Sequence, residues 1–415
     1  MGKLNSLFLL VLLDLILFCS FVDAQSPVPA TYFGIHDNKT SNWPPLPSGT
    51  LRLWDSATQW AKIETSPGVY SFTHLDGFIA EAHANGVTDI VWNPSTTPSF
   101  YSANSGDSTC NYTSGGCWAP TDVDSGNTKY KNFLTAVINH VGPGVIKYYE
   151  GWNEPNNSPM WKDTVAHLKI MQTTLYNTVK SLDPSALVLM PASYSSYIQT
   201  MVNNGFGAIS DINTFHGYHC TPESDIADDS NIKSIYSNAG LGSRPLWKTE
   251  GGWGQSGGSN PCTDSTNYPN KVARGFLLDW SNGIDRFYWY AYDNTSWGTL
   301  GSGQTLNPAG VAYKQVANWM VGASGGACSS ANNVWTCDFI RTSPNGYQAK
   351  AVWYTAGTSS YTVPTGFTKE RDLSGNSFAV SQGQSIQIDG FPVLLESTQL
   401  SQPPQPPTGL VATVQ

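Results

Sequence analysis

Two glutamates carry the chemistry that this sequence offers. Glu154 lies in residues 145–156, V-I-K-Y-Y-E-G-W-N-E-P-N, where Val145, Ile146, Tyr148 and Tyr149 favour a strand while Gly151, Pro155 and the asparagines that follow cannot extend a helix. A buried strand therefore ends in a polar loop, and the carboxylate is held by rigid backbone at the mouth of a packed interior. Glu250 has the same setting in residues 245–254, P-L-W-K-T-E-G-G-W-G: Leu246 and Trp247 suit a short strand, and Gly251 and Gly252 break it immediately after the carboxylate. The stretch between them leaves room for two further strand–helix units, so both glutamates can reach the same end of one barrel. Two carboxyls so placed are the arrangement that glycoside hydrolysis needs. Trp152 and Asn153, beside Glu154, add an aromatic plane and an amide for a sugar ring and its hydroxyls.

The motif W-N-E-P at 152–155 and T-E-G-G-W at 249–253 resemble the catalytic segments of clan A glycoside hydrolases. Within that clan the chain is most similar to family 39, which holds β-xylosidases and some endo-acting glycosidases. The segment from Trp60, W-x-x-I-E-x-x-x-G-x-Y-x-F-x-x-L-D, carries the same resemblance. It implies a (β/α)8 TIM barrel with the acid/base, Glu154, on strand four and the nucleophile, Glu250, on strand seven. The carboxyls are then expected about 5–5.5 Å apart, with retention of anomeric configuration. Ionised Glu250 is expected to keep Glu154 protonated. By the same resemblance, Arg52, Asn153, His216, Tyr218 and Trp289 surround the sugar: Asn153 on its 2-hydroxyl, His216 and Tyr218 orienting Glu250, Trp289 as a stacking floor. His36, Trp54, Asn93, Trp253 and Trp297 are further candidates. No cofactor or metal is implied.

The 415 residues suffice for one large barrel and a small second domain. Charged residues are only 12% and the net charge is −9, so no basic face is available for nucleic acid or anionic lipid, and a neutral, polar partner such as a carbohydrate fits better. With 15 Trp and 20 Tyr, aromatic rings are available for sugar stacking as well as for the core. Residues 1–24 read as a secretory signal: Lys3, an apolar run over 7–18 interrupted by Asp14, then Val22, Asp23 and Ala24 at a cleavage site. The run is too short to span a membrane comfortably. A secreted or periplasmic protein follows, and beyond Cys19 six cysteines remain, for which the spacings favour Cys110–Cys117, Cys220–Cys262 and Cys328–Cys337. Glycosylation sequons occur at Asn38, Asn111, Asn156 and Asn294.

Strands are expected at 32–35, 50–54, 89–92, before Glu154, at 187–190, 212–215, before Glu250 and at 286–292. Helical periodicity lies between them, as in Leu75, Phe78, Ile79 and Ala82. The alternation argues a parallel closed barrel over 25–322. The long loop after strand three, to about Asn127, reads as a wall of the substrate cleft. From Ala323 short alternating segments at 335–340, 349–354, 361–363, 385–388 and 393–395 indicate a small antiparallel β-sandwich over 323–398. Residues 399–415 read as a Pro-rich linker or the start of a further module.

Three rival readings fit the sequence less well. Gly254-Gln255-Ser256-Gly257-Gly258 matches a serine-hydrolase elbow, but every histidine precedes Ser256 and no helix follows it. A metal site on His216, His219 and Cys220 lacks a second cluster of ligands. A barrel that only binds carbohydrate sits poorly with two catalytically placed glutamates.

Overall fold

The computed structural model describes residues 26–39, 43–218, 220–252, 269–294, 298–341 and 346–397. Eight parallel strands form the central sheet: Phe33–His36, Thr50–Leu53, Asp89–Trp92, Tyr148–Glu150, Leu187–Leu189, Asn213–Gly217, Leu246–Gly251 and Arg286–Trp289. They are called strands one to eight below. The first pairs with the eighth, and a parallel bridge from Leu189 to Ile212 joins the fifth to the sixth, so the sheet closes on itself. The expected (β/α)8 barrel is the fold, although among the described residues no helix lies between strands one and two.

Alternation along the strands separates two apolar layers. Phe287 and Trp289 of strand eight face the helices and pack on Phe276 of helix Pro269–Ser281. Tyr288, between them, points inward, where it clusters with Val91, Leu189, Ile212 and Trp247. At the lower end of the barrel Arg286 stacks on Trp247, 4.1 Å from its centroid, and binds Asp89 at 2.7 Å. The interior is therefore filled, and only its upper end can take a ligand.

Helix Val165–Leu182 follows strand four. Thr164 caps it by accepting the His167 N–H, and its inward face carries Leu168, Met171, Leu175 and Val179. Gln172 on that face donates to the carbonyls of Leu189 and Ile209. A Cβ on Gly151 would meet its Oε1 at 2.2 Å, so only glycine fits directly after strand four.

Beyond the barrel a six-stranded antiparallel sheet and a two-stranded sheet, Ser359–Thr362 with Ser385–Ile388, enclose a second core of Val352, Val363, Phe367, Ile388 and Leu395. Strands Ser324–Ala331, Phe367–Arg371 and Ser377–Ala379 add to the expected set. Cys328 and Cys337 face each other across the first hairpin and are bonded, as are Cys110 and Cys117. Cys220 is disulfide-bonded; Cys262, its expected partner, lies outside the described residues, as do residues 1–24, Ser256 with its flanking glycines, and 399–415. No helix among the described residues is long and apolar enough to cross a membrane.

The sheet is joined to the barrel by buried contacts. Phe339, Ala351, Trp353 and Leu394 belong to the same apolar cluster as the barrel's outer layer. Trp280 donates to Gly325 O at 2.9 Å and Trp353 to Glu223 Oε1 at 2.9 Å. Dividing the chain at Gly322–Ala323, as we propose, therefore separates two units that cannot be parted without exposing apolar surface. Removing 323–398 should give an insoluble or unfolded barrel in solubility and circular-dichroism assays. A soluble fragment with an intact cooperative melt would show the units to be independent.

Candidate active site

At the upper end of the barrel a single guanidinium gathers the polar groups. Arg52, on strand two, has no exposed surface. Its Nε donates to Glu150 Oε2 at 2.6 Å, Nη1 to Glu250 Oε1 at 2.7 Å, and Nη2 to Asn153 Oδ1 at 2.8 Å. Strand two thus ties strand four, the loop after it and strand seven together. Two carboxylates raise the guanidinium's proton affinity further against the effect of burial, so Arg52 stays charged. Glu150 is completely buried and also accepts from Asn93 Nδ2 at 3.1 Å. Sequence reasoning did not single it out: it reads as one more residue of strand four, and only the inward alternation with Tyr148 marks it.

Simple alternation would not put Glu250 here. Lys248, two residues earlier, points outward to the helices, bonding Asp225 at 3.0 Å and Asp279 at 3.1 Å. Pairing with strand six runs Phe215 to Lys248 but His216 to Glu250, and pairing with strand eight shifts over the same step. One extra residue, Thr249, is bulged, which turns Glu250 into the barrel while Lys248 faces out. The bulged carbonyl lies 3.0 Å from His36 Nε2, which donates to it. Burial and nearby Arg52 hold His36 well below the usual histidine range, so it is neutral.

Glu154 stands beyond the end of strand four, at φ 44°. That left-handed conformation costs on the order of 1–3 kcal/mol for a residue other than glycine. It is held from both sides: the Glu154 N–H donates to Ala192 O at 3.1 Å and its carbonyl accepts from the Asn157 N–H at 2.9 Å. His216, buried at the end of strand six, joins the two glutamates: Nδ1 is 2.9 Å from Glu154 Oε1 and 3.5 Å from Glu250 Oε2. The Tyr218 hydroxyl donates to Glu250 Oε2 at 2.9 Å. One carboxylate oxygen from each glutamate and one ring nitrogen of His216 all lie within 4.8 Å of one another.

The electrostatics differ from the sequence expectation. Burial raises Glu250 above the ordinary carboxylate range; His216 and Arg52 offset this only in part, and Glu154 adds to it. Burial acts on Glu154 too, but the hydrogen bond and charge of His216, with help from Asn157 and Arg52, outweigh it and hold Glu154 below its ordinary value. The expectation that Glu154 is the protonated member ignored His216, whose Nδ1 sits closer to Glu154 than to Glu250. Glu154, His216 and Glu250 could also coordinate a cation, but Arg52 already supplies a positive charge to Glu250 at 2.7 Å.

A cavity of about 200 Å³ opens over these groups, lined by Trp54, Tyr112, Asn153, Met160, Tyr218 and Tyr290 around the two glutamates. The loop after strand three supplies Asn111 and Tyr112, and Tyr112 meets Trp54 edge-on at 4.9 Å. Arg52, Asn153, His216 and Tyr218 are thus brought together with Glu154 and Glu250. Trp289 is not: it is 1% exposed, donates to Gly298 O at 2.7 Å and packs with Phe276 among the helices. It sits on the outward step of strand eight, and the next residue, Tyr290, takes the inward place and binds Asp55 through its hydroxyl. Trp152 is also structural, anchored by Met160 O and by Trp161. His36 and Asn93 position neighbours, and Trp54 lines the cavity. Trp253, Trp297 and His219 lie outside the described residues, and disulfide bonding removes the Cys220 thiolate as a metal ligand.

No protein-family model matches the chain, and no curated protein is similar to it in sequence. Solved structures are similar in fold. A family 39 glycoside hydrolase from Bacteroides cellulosilyticus matches with a TM-score of 0.68 at 17% identity, over 89% of this chain and 81% of that one. A family 39 β-xylosidase from Caulobacter crescentus matches with a TM-score of 0.66 at 15% identity, over 90% and 97%. The catalytic domain of a family 30 xylanase from Talaromyces cellulolyticus matches with a TM-score of 0.55 at 15% identity, over 90% and 98%. The chain shares the barrel-and-sandwich fold of these enzymes.

The bulge that aims Glu250 is backed by buried charge, since Lys248 is enclosed by acidic groups on the helices. Lys248→Met would leave those carboxylates without their cation and should cost about 3–5 kcal/mol. Urea unfolding would read this; a loss under about 1 kcal/mol would mean that the cluster does not hold strand seven.

Proposed function

We propose that this chain is a retaining glycoside hydrolase that cleaves β-glycosidic bonds in an oligosaccharide or polysaccharide, with Glu250 as nucleophile and Glu154 as acid/base. The observation that carries the reading is the pair of carboxylates whose oxygens approach within 4.8 Å at the open end of the barrel. Carboxyls with oxygens this close suit direct attack on the sugar, whereas an inverting pair stands about 6.5–9.5 Å apart to leave room for water. The likeness in fold to family 39 and family 30 enzymes supports the same chemistry.

In the first step a Glu250 oxygen attacks the anomeric carbon. The glycosidic bond breaks, and its electron pair goes to the leaving oxygen, which takes a proton from Glu154. Arg52 and Tyr218 hold Glu250 by Oε1 and Oε2 and orient it for attack. The 2.9 Å contact with His216 Nδ1 holds the Glu154 carboxyl in place for this transfer. In the second step Glu154 removes a proton from water, the water oxygen bonds to the anomeric carbon, and the ester to Glu250 breaks. Asn153 accepts from Arg52 through Oδ1, which leaves its amide N–H groups for a sugar hydroxyl. Trp54, Tyr112 and Tyr290 supply the aromatic walls that Trp289 was expected to provide. Secretion fits the disulfides at Cys110–Cys117 and Cys328–Cys337.

Aryl β-glycosides with a good leaving group test the roles without knowledge of the natural substrate. Glu154→Ala should still form the glycosyl ester, stall there and be rescued by azide as a β-glycosyl azide. Glu250→Ala should lose hydrolysis of all substrates and give the α-azide by direct displacement. Nuclear magnetic resonance of the products distinguishes these, and exchanged outcomes would reverse the assignment.

A further inference from the structure

Tyr194 follows strand five and is 37% exposed. A single exposed aromatic is ordinary on a protein surface. This one is fixed next to the acid/base glutamate by the segment that carries it. Ala192 O accepts the Glu154 N–H at 3.1 Å, Ser193 O accepts the His216 N–H at 3.1 Å, and the Ser193 hydroxyl donates to Asn156 Oδ1. Tyr194 then opens helix Ser195–Asn203: its carbonyl accepts from the Tyr197 and Ile198 N–H groups at 3.0 and 3.1 Å, and Ile198 and Met201 bury the helix in the core. The backbone on both sides of Tyr194 is therefore held, and ordering the ring against a ligand restricts only its own two torsions.

Two exposed tyrosines flank the glutamates, and they differ in which one they lie toward. Burial raises both hydroxyls above the usual tyrosine range. After burial, Glu154 acts on Tyr194 more than Glu250 does, whereas Asp55 and then Glu250 act on Tyr112 more than Glu154 does. Tyr112 packs on Trp54 in the wall of the cavity; Tyr194 does not line that cavity and lies toward Glu154. The acid/base protonates the glycosidic oxygen, so the sugar that leaves lies on the Glu154 side of the sugar that is attacked. A fixed aromatic there offers its face to the C–H face of a sugar ring and its hydroxyl to the sugar's polar edge.

We propose that Tyr194 is the stacking platform for the leaving sugar, so that the substrate is a glycan with a sugar, not a small aliphatic alcohol, on the leaving side of the bond. The inference rests on the roles proposed for Glu154 and Glu250. By microscopic reversibility the same platform holds an acceptor sugar when the ester is opened. The acceptor hydroxyl oxygen then bonds to the anomeric carbon, its proton passes to Glu154, and the bond to Glu250 breaks with its electron pair returning to the carboxylate.

Partition of the ester between acceptors tests this on the full chain. β-Glycosyl fluorides of glucose, xylose, galactose and mannose identify the sugar cleaved, and the methyl β-glycoside of that sugar serves as acceptor, with methanol as the acceptor that lacks a ring. Water, methanol and sugar all need Glu154 as base, so the ratio of products, read by mass spectrometry, reports how the acceptor is held and not whether Glu154 has moved. In the native chain the methyl glycoside should capture the ester at lower concentration than methanol does. Tyr194→Ala should lower the ratio of capture by the methyl glycoside to hydrolysis about tenfold without lowering that for methanol, and Tyr194→Phe, which keeps the ring, should retain most of the capture. No preference for the methyl glycoside in the native chain, no fall or an equal fall for both acceptors in Tyr194→Ala, or Tyr194→Phe as impaired as Tyr194→Ala would overturn the platform while the roles of the glutamates stand. If none of the four fluorides is turned over, the glycosidase reading fails and the inference falls with it.

Discussion

A guanidinium buried without access to water has to be enclosed by acceptors, and the upper end of this barrel is built to that requirement. Arg52 is surrounded by Glu150, Glu250 and Asn153, contributed by strand four, strand seven and the loop after strand four. Removing any one acceptor would leave buried charge or an unpaired donor, which costs far more than an exposed pair would. The geometry of the glutamates is therefore tied to the stability of the barrel. Glu150 does not line the cavity, yet it shares Arg52 with Glu250.

The second constraint is the bulge at Thr249. It lets one strand serve two layers in succession, with Lys248 neutralising acids among the helices and Glu250 facing the cavity. His36 fixes the bulged carbonyl and is kept neutral by burial and by Arg52, which makes it a reliable donor. His216 then divides the pair: nearer to Glu154, it holds that carboxylate below its ordinary range, while burial keeps Glu250 above it. Two carboxylates in nearly equivalent positions on the barrel rim acquire different proton affinities from one imidazole and one guanidinium.

The strands with dense β-branched and aromatic residues, and helices such as Val165–Leu182 with an apolar stripe, were legible in the sequence, and so were Glu154 and Glu250 at strand ends before glycine or proline. Helix Pro222–Asn238 was not, because its buried face includes Asp225 and Asp229, which read as solvent-facing until Lys248 is placed against the helix. Glu150 and the bulge were hidden for a related reason: both depend on which strands are neighbours. Trp289 was misplaced by one step of alternation, and Tyr290 holds the position that the aromatic-rich strand suggested. What the chain displays locally is periodicity; what it conceals is which buried charges will meet.

The proposed mechanism requires Glu250 to be the group that bonds to the sugar. Incubating the enzyme with a 2-deoxy-2-fluoro-β-glycosyl fluoride of a sugar it cleaves slows both steps and lets the ester accumulate, so that peptide mass spectrometry can locate it. The mechanism requires one sugar ester, on Glu250. An ester on Glu154 or Glu150, or turnover with inverted product and no ester, would contradict it.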